Sequence, residues 1–183
     1  MGKRPLAVAV TGGIAAGKSE ALAAFARHGA ATLSADAVVH ELLTTDPEVR
    51  DAIRARWGED AVGDRARIAQ IVFRDRNELD WLEKLLHPRT RSATDAWLAS
   101  VSEPVAVVEV PLLYETGGEE RFDAVVVITA PVGVRASRRD GMTDREQRLL
   151  PDDEKARRAD FSFVNDGSLE DLERFVRTVL DAL

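Results

Sequence analysis

The sequence predicts an α/β fold built on a parallel sheet, and three observations carry that prediction. Valine-rich apolar runs at 6–10, 105–110 and 124–129 show no polar alternation, as expected of strands covered on both faces. Helix-period stretches separate them, the order that produces parallel strands. A glycine-rich turn follows the first run and opens directly into a helix pattern.

The first run, from Leu6 to Val10, has Lys3 and Arg4 ahead of it but stops at Thr11-Gly12-Gly13, too short for the apolar core of a secretory signal. A helix is predicted over 18–27, stopped by Gly29, and a weaker strand over 31–33. Residues 36–102 carry helix patterns only, including a long one over 79–101, and read as a helical insertion between the second and third strands. The run over 105–110 supplies the third strand, with Glu109 near its end, and the fourth strand follows at 124–129. A short strand at 161–164 and a helix opened by Ser168, with Glu170 and Asp171 in its first turn, complete the chain.

Composition narrows the function. The 183 residues are 45% hydrophobic and 31% charged, which suits one compact domain with an inserted subdomain and excludes a disordered chain. The absence of cysteine excludes a disulfide scaffold, a thiolate nucleophile and a cysteine zinc site, and points to a cytoplasmic enzyme. A net charge of −7 argues against duplex nucleic acid or an anionic membrane as partner, because both require a basic surface. No stretch approaches the roughly 18 apolar residues of a spanning helix. Phosphate binding must therefore be local. Of the 25 basic residues only Lys3, Lys18, Lys84 and Lys155 are lysines.

Lys18 stands in the strongest motif. Gly12-Gly13-Ile14-Ala15-Ala16-Gly17-Lys18-Ser19 fits G-x-x-x-x-G-K-[ST] between a strand and a helix. Glycines let backbone N–H groups turn toward phosphate oxygens and the helix adds its positive end. Lys18 reaches the β- and γ-phosphates, and the Ser19 hydroxyl is placed to bind Mg²⁺. The pattern predicts a nucleoside-triphosphate site, and the lack of N-K-x-D argues against a guanine-reading switch. Arg135, Arg138, Arg139, Arg145 and Arg148, interleaved with Asp140, Asp144 and Glu146, read either as a solvated helix with ion pairs or as a lid that brings guanidinium groups onto the phosphates. Glu109 reads as a water-mediated Mg²⁺ partner or as a salt-bridge residue at the sheet edge. His28, His40 and His87 share no metal-binding spacing.

Taken in order, Thr11 through Ser19, Ala35-Asp36, Leu86-His87-Pro88, Val110-Pro111-Leu112-Leu113-Tyr114-Glu115, Arg139-Asp140-Gly141-Met142, Ala159-Asp160 and Asn165-Asp166-Gly167-Ser168 resemble the dephospho-CoA kinase family over nearly the whole chain. The resemblance implies transfer of the ATP γ-phosphate to the ribose 3′-hydroxyl of dephospho-CoA with Mg²⁺, by a monomer or weak homo-oligomer. It implies a P-loop three-layer α/β/α kinase core, 1–35 with 103–183, carrying a lid at about 135–155, and a CoA-binding helical insertion, 36–102. It assigns Asp36 as base for the acceptor hydroxyl, where the residue alone reads more readily as a helix N-cap. It also assigns catalytic roles to Lys18 and Arg139, nucleotide contacts to Gly12 through Ser19, Arg135 and Asn165, and acceptor contacts to Asp36, His87 and Glu115. Asn165 alone reads equally as a turn residue, and His87 before a proline more often as structural.

Several positions depart from the family pattern: Ser34, the pair Ala15-Ala16, Glu20, and a segment from Arg135 to Pro151 that is shorter than expected. Two other readings thus stand at the level of sequence. One is a P-loop kinase of a different metabolite or nucleotide, and the other a non-catalytic ATP-binding relative with a shortened lid.

Overall fold

The computed structural model describes residues 4–138 and 150–183, except for the side chains of 136–138. Five strands, β1 (Leu6–Gly12), β2 (Ala31–Ser34), β3 (Val105–Glu109), β4 (Ala124–Thr129) and β5 (Phe161–Val164), form one sheet in the order β2-β3-β1-β4-β5. Every pairing is parallel; Val8, for example, lies opposite Val107 of β3 and Ala124 of β4. The helices are α1 (Lys18–Arg27), α2 (Ala35–Thr45), α3 (Pro47–Trp57), α4 (Arg65–Arg74), α5 (Arg76–Ser100), α6 (Val132–Arg138), α7 (Asp152–Arg158) and α8 (Leu169–Ala182). The chain divides into two units, Met1–Ser34 with Leu98–Leu183, and Ala35–Trp97.

In the first unit the sheet is the middle of three layers. Val8, Val10, Val126 and Ile128 point to one face, where they pack with Phe25 of α1 and Leu172, Val176 and Val179 of α8. Ala9, Val125 and Val127 point to the other, against Leu113, Tyr114 and the alanines of α7 and its end, Ala156 and Ala159. The period-2 geometry of a strand sends successive side chains to opposite faces, and with both faces covered every position must be apolar. That requirement is why the strands appear in the sequence as unbroken valine runs.

One device aligns the strands. Asp123, just before β4, accepts the Ala7 N–H at 2.8 Å and donates its own N–H to Ala7 O at 2.7 Å. Asp160, just before β5, does the same with Val125, at 2.8 and 3.0 Å. Each carboxylate satisfies a donor at the start of the neighbouring strand. The Ala7 N–H, and after it the guanidinium of Arg4, holds the Asp123 carboxyl below its ordinary 3.8.

The second unit contains only helices and one short 3₁₀ turn among its described elements. Its core is Leu43, Val49, Ile53, Ala61, Ile68, Leu82 and Leu86. Asp46 caps α3 through Val49 N–H at 3.0 Å with Pro47 at the first helical position, and Asp64 caps α4 through Arg67 N–H at 3.0 Å. α5 runs through Pro88, whose ring has no N–H for the carbonyl one turn back. Nearby, the Arg89 guanidinium donates to Leu85 O at 3.0 Å and reaches Glu48 of α3 at 2.7 Å, which fastens the proline-bearing turn to its neighbour. Among the described residues no helix is long and apolar enough to cross a membrane.

Candidate active site

Because all strands are parallel, their carboxyl ends lie on one edge of the sheet. From β1 the chain steps past β3 to β2, returns to β3, and then crosses to β4 on the other side of β1. Ligands of open α/β sheets bind at the carboxyl edge where this direction reverses, which here is the end of β1. The glycine-rich loop lies at that point, between β1 and α1.

The loop has the backbone such a cradle needs. Gly12 has φ 142° and Gly17 φ 97°, both in the region that favours glycine. A Cβ on Gly12 would stand 1.8 Å from Ile128 O, so only glycine lets β1 leave the sheet here. Ala15, at φ 58°, is the one non-glycine residue with positive φ among the described residues. Ala16 N–H donates back to Gly13 O at 3.3 Å. The Lys18 ammonium curls over the loop, 3.2 Å from Gly12 O and 2.8 Å from Gly13 O. Ile14 is half-buried, and Ser19 is exposed as the second residue of α1.

A second layer of charge lies beside the loop. The Asp152 carboxylate packs on Gly13, where a Cβ would stand 2.6 Å from Oδ2. Arg135 of α6 pairs with that carboxylate at 3.6 Å. Behind it the Lys155 ammonium is fully buried, 2.8 Å from Glu115 Oε1, and the same oxygen accepts the Leu150 N–H at 3.1 Å. Glu115 ends the Pro-Leu-Leu-Tyr-Glu turn, in which Leu113 and Tyr114 belong to the core. Sequence reasoning expected Glu115 at the acceptor; in the structure Oε1 is occupied by these two groups.

Asn165, buried after β5, donates from its amide nitrogen to Ala16 O at 2.9 Å and accepts the Gly167 N–H at 3.2 Å. It thereby ties the phosphate loop to the last turn, where Ser168 caps α8 through Asp171 N–H at 3.2 Å. A cavity of about 220 Å³ opens beside this link, lined by Gly17, Glu20, Asn165, Ser168, Leu169 and Leu172 among others. Leu169, 54% exposed, gives the cavity an apolar wall. Glu109 is buried at the end of β3, in register with Val10 and Ser34.

Asp36 is exposed in the first turn of α2, which begins at Ala35. The helix starts one residue before it, so Asp36 is not the N-cap that the residue alone suggested. His87 is exposed on α5. Arg139, with Asp140, Asp144, Arg145, Glu146 and Arg148, lies outside the described residues, as does the Arg138 side chain.

Sequence reasoning missed Asp152 and Lys155. Both sit in the charged run Asp152-Asp153-Glu154-Lys155, which has the look of a solvated helix turn. Two signals could have exposed the lysine: the scarcity of lysines in the chain, and the small Ala156 and Ala159 after it, which leave room for α7 to press against the sheet.

Comparison with known proteins adds an independent finding. The model of the dephospho-CoA kinase family matches residues 6–171. The dephospho-CoA kinase of Rhodopseudomonas palustris (strain BisB18) is 38% identical over 187 residues, covering 94% of this chain and 93% of that protein. Among solved structures, TT1252 from Thermus thermophilus superposes with a TM-score of 0.84 at 32% identity, covering 99% of both chains. The dephospho-CoA kinase from Campylobacter jejuni gives 0.70 at 26%, over 97% of this chain and 96% of that one.

Proposed function

The chain belongs to the dephospho-CoA kinase family, and from that premise we propose that it transfers the ATP γ-phosphoryl group to the ribose 3′-hydroxyl of dephospho-CoA, giving coenzyme A and ADP. The observation that carries the nucleotide half of this reading is the complete phosphate loop at the reversal point of the sheet, with Lys18 folded over it. The acceptor half rests on the family.

Phosphoryl transfer asks a protein mainly to position its reactants and to offset charge on the transferring group. The N–H groups from Gly12 to Ser19 cradle the phosphates, and Lys18 exchanges its two loop carbonyls for β- and γ-oxygens. The adenosine end extends toward the cavity beside Asn165 and Leu169. Arg135 and Arg139 offset charge on the γ-phosphoryl group. Asp36 orients the 3′-hydroxyl and takes its proton as the phosphorus–oxygen bond forms and ADP departs. The helical insertion receives the rest of the acceptor, with His87 contributing; Glu115, engaged by Lys155 and the Leu150 N–H, does not. The reaction is cytoplasmic and is carried out by a monomer or weak homo-oligomer.

Magnesium fits the residues present. Ser19 offers an exposed hydroxyl at the start of α1 and Glu109 a carboxylate at the end of β3, both hard oxygen donors, and no group of three acidic or histidine ligands occurs among the described residues. These residues would hold Mg²⁺ through a hydroxyl or carboxylate together with substrate phosphates, as this ion usually requires. Its chemical contribution, when bound, would be to neutralise phosphate charge.

The test is an acceptor panel. With ATP and Mg²⁺ the protein should form coenzyme A from dephospho-CoA faster than it phosphorylates shikimate, nucleosides or nucleoside monophosphates. Faster transfer to one of these, or ATP binding with no product, would overturn the reading.

A further inference from the structure

The most deeply buried charge in the described structure belongs to no step above. Lys155 is fully buried in α7, and its ammonium lies 2.8 Å from Glu115 Oε1. The contact has the distance of an ion pair but not the alignment of a hydrogen bond: Lys155 Nζ and Glu115 Oε2 are both buried without an aligned partner. A buried pair satisfied so incompletely is a poor source of stability, because desolvating both ions offsets most of the attraction and an apolar pair of similar volume does as well. What it does supply is register. Glu115 Oε1 takes the Leu150 N–H as well as the ammonium, so one oxygen fixes the chain before α7 and a point inside it.

That register has a consequence one helical turn away. Asp152 lies three residues before Lys155, and its carboxylate is the group packed on Gly13 of the phosphate loop and paired with Arg135. A small slide or rotation of α7 moves that carboxylate off the loop and releases the guanidinium it orients. We propose that Lys155 is a positioning residue for nucleotide binding, its buried pair with Glu115 holding α7 where Asp152 directs Arg135 to the phosphate loop. The proposal rests on the kinase reading only for the statement that the loop binds a nucleotide.

The experiment measures Mg-ADP affinity by calorimetry and Tm by melting for the full chain and its variants. Lys155→Met should weaken ADP binding by about tenfold to a hundredfold, the scale of a misplaced binding group. Glu115→Leu with Lys155→Met leaves no unpaired charge buried, and it carries the test if the single variant does not fold. It should regain the wild-type Tm while ADP affinity stays low. In the Arg135→Ala background the Lys155→Met loss should shrink to within about twofold, since coupled residues are not additive. Wild-type affinity in Lys155→Met, recovery of both Tm and affinity in the double variant, or additive losses with Arg135→Ala would each overturn the proposal. No acceptor enters the assay. Wild-type ADP binding without coenzyme A formation would therefore count against the proposed reaction and leave this inference standing.

Discussion

Ala15 holds a φ of 58°, a conformation that costs an L-residue roughly 1–2 kcal/mol. The loop needs that turn to aim its N–H groups inward, so the strain is local and removable. Ala15→Gly should raise stability by about 1 kcal/mol or less, because glycine's larger unfolded-state entropy offsets part of the relief. Chemical denaturation measures this, and a destabilised variant would mean that the strain is relieved elsewhere. Asp36 is a sharper case, since exposure in the first turn of α2 leaves its carboxylate available for chemistry. Asp36→Asn should keep ATP affinity near wild type and lower turnover at least about tenfold, the lower end of what a general base contributes. Unchanged turnover would remove Asp36 from the mechanism. At this scale the sequence was informative where chemistry and backbone share one short motif, as in Gly12 through Ser19. It was silent where a contact depends on a partner distant in the chain, as that of Lys155 with Glu115 and that of Asp152 with Gly13 do.

Elements were easier to read than their joints. β4, β5 and α1 have the bounds the sequence predicts, while β1 extends two residues past its apolar run and β3 stops one short of it, at Glu109. The long helix starts at Arg76 rather than 79, since its opening turns are polar and carry no apolar period. Asp123 and Asp160 were not legible, because an aspartate before a strand reads as an ordinary turn residue until the neighbouring strand supplies its N–H. The Asp123 carboxyl is held below 3.8 in the folded state, so its contribution is complete above that value and is lost as pH falls through the folded value. Asp123→Asn should therefore cost about 1 kcal/mol at neutral pH. The gap from wild type should close in acid, and a pH-independent gap would assign the loss to packing instead.

The molecule as a whole is an acidic chain that confines its phosphate chemistry to one edge of a sheet. Its net charge of −7 sets a repulsive background for a triphosphate, which the proposed contacts from Lys18, Arg135 and the loop's N–H groups would offset locally. The scaffold beneath must be rigid, and Phe25, fully buried between α1 and the sheet, is its largest apolar side chain at that layer. Phe25→Ala should cost about 3–5 kcal/mol. Thermal melting should show the loss, and a much smaller change would mean that α1 repacks freely behind the loop. The proposed transfer is decided by the product formed from dephospho-CoA and Mg-ATP, read by ³¹P NMR with ADP measured in parallel. A new 3′-phosphomonoester resonance should grow in amounts equal to ADP; ADP released without that resonance, or phosphate on another oxygen, would rule out transfer to the 3′-hydroxyl.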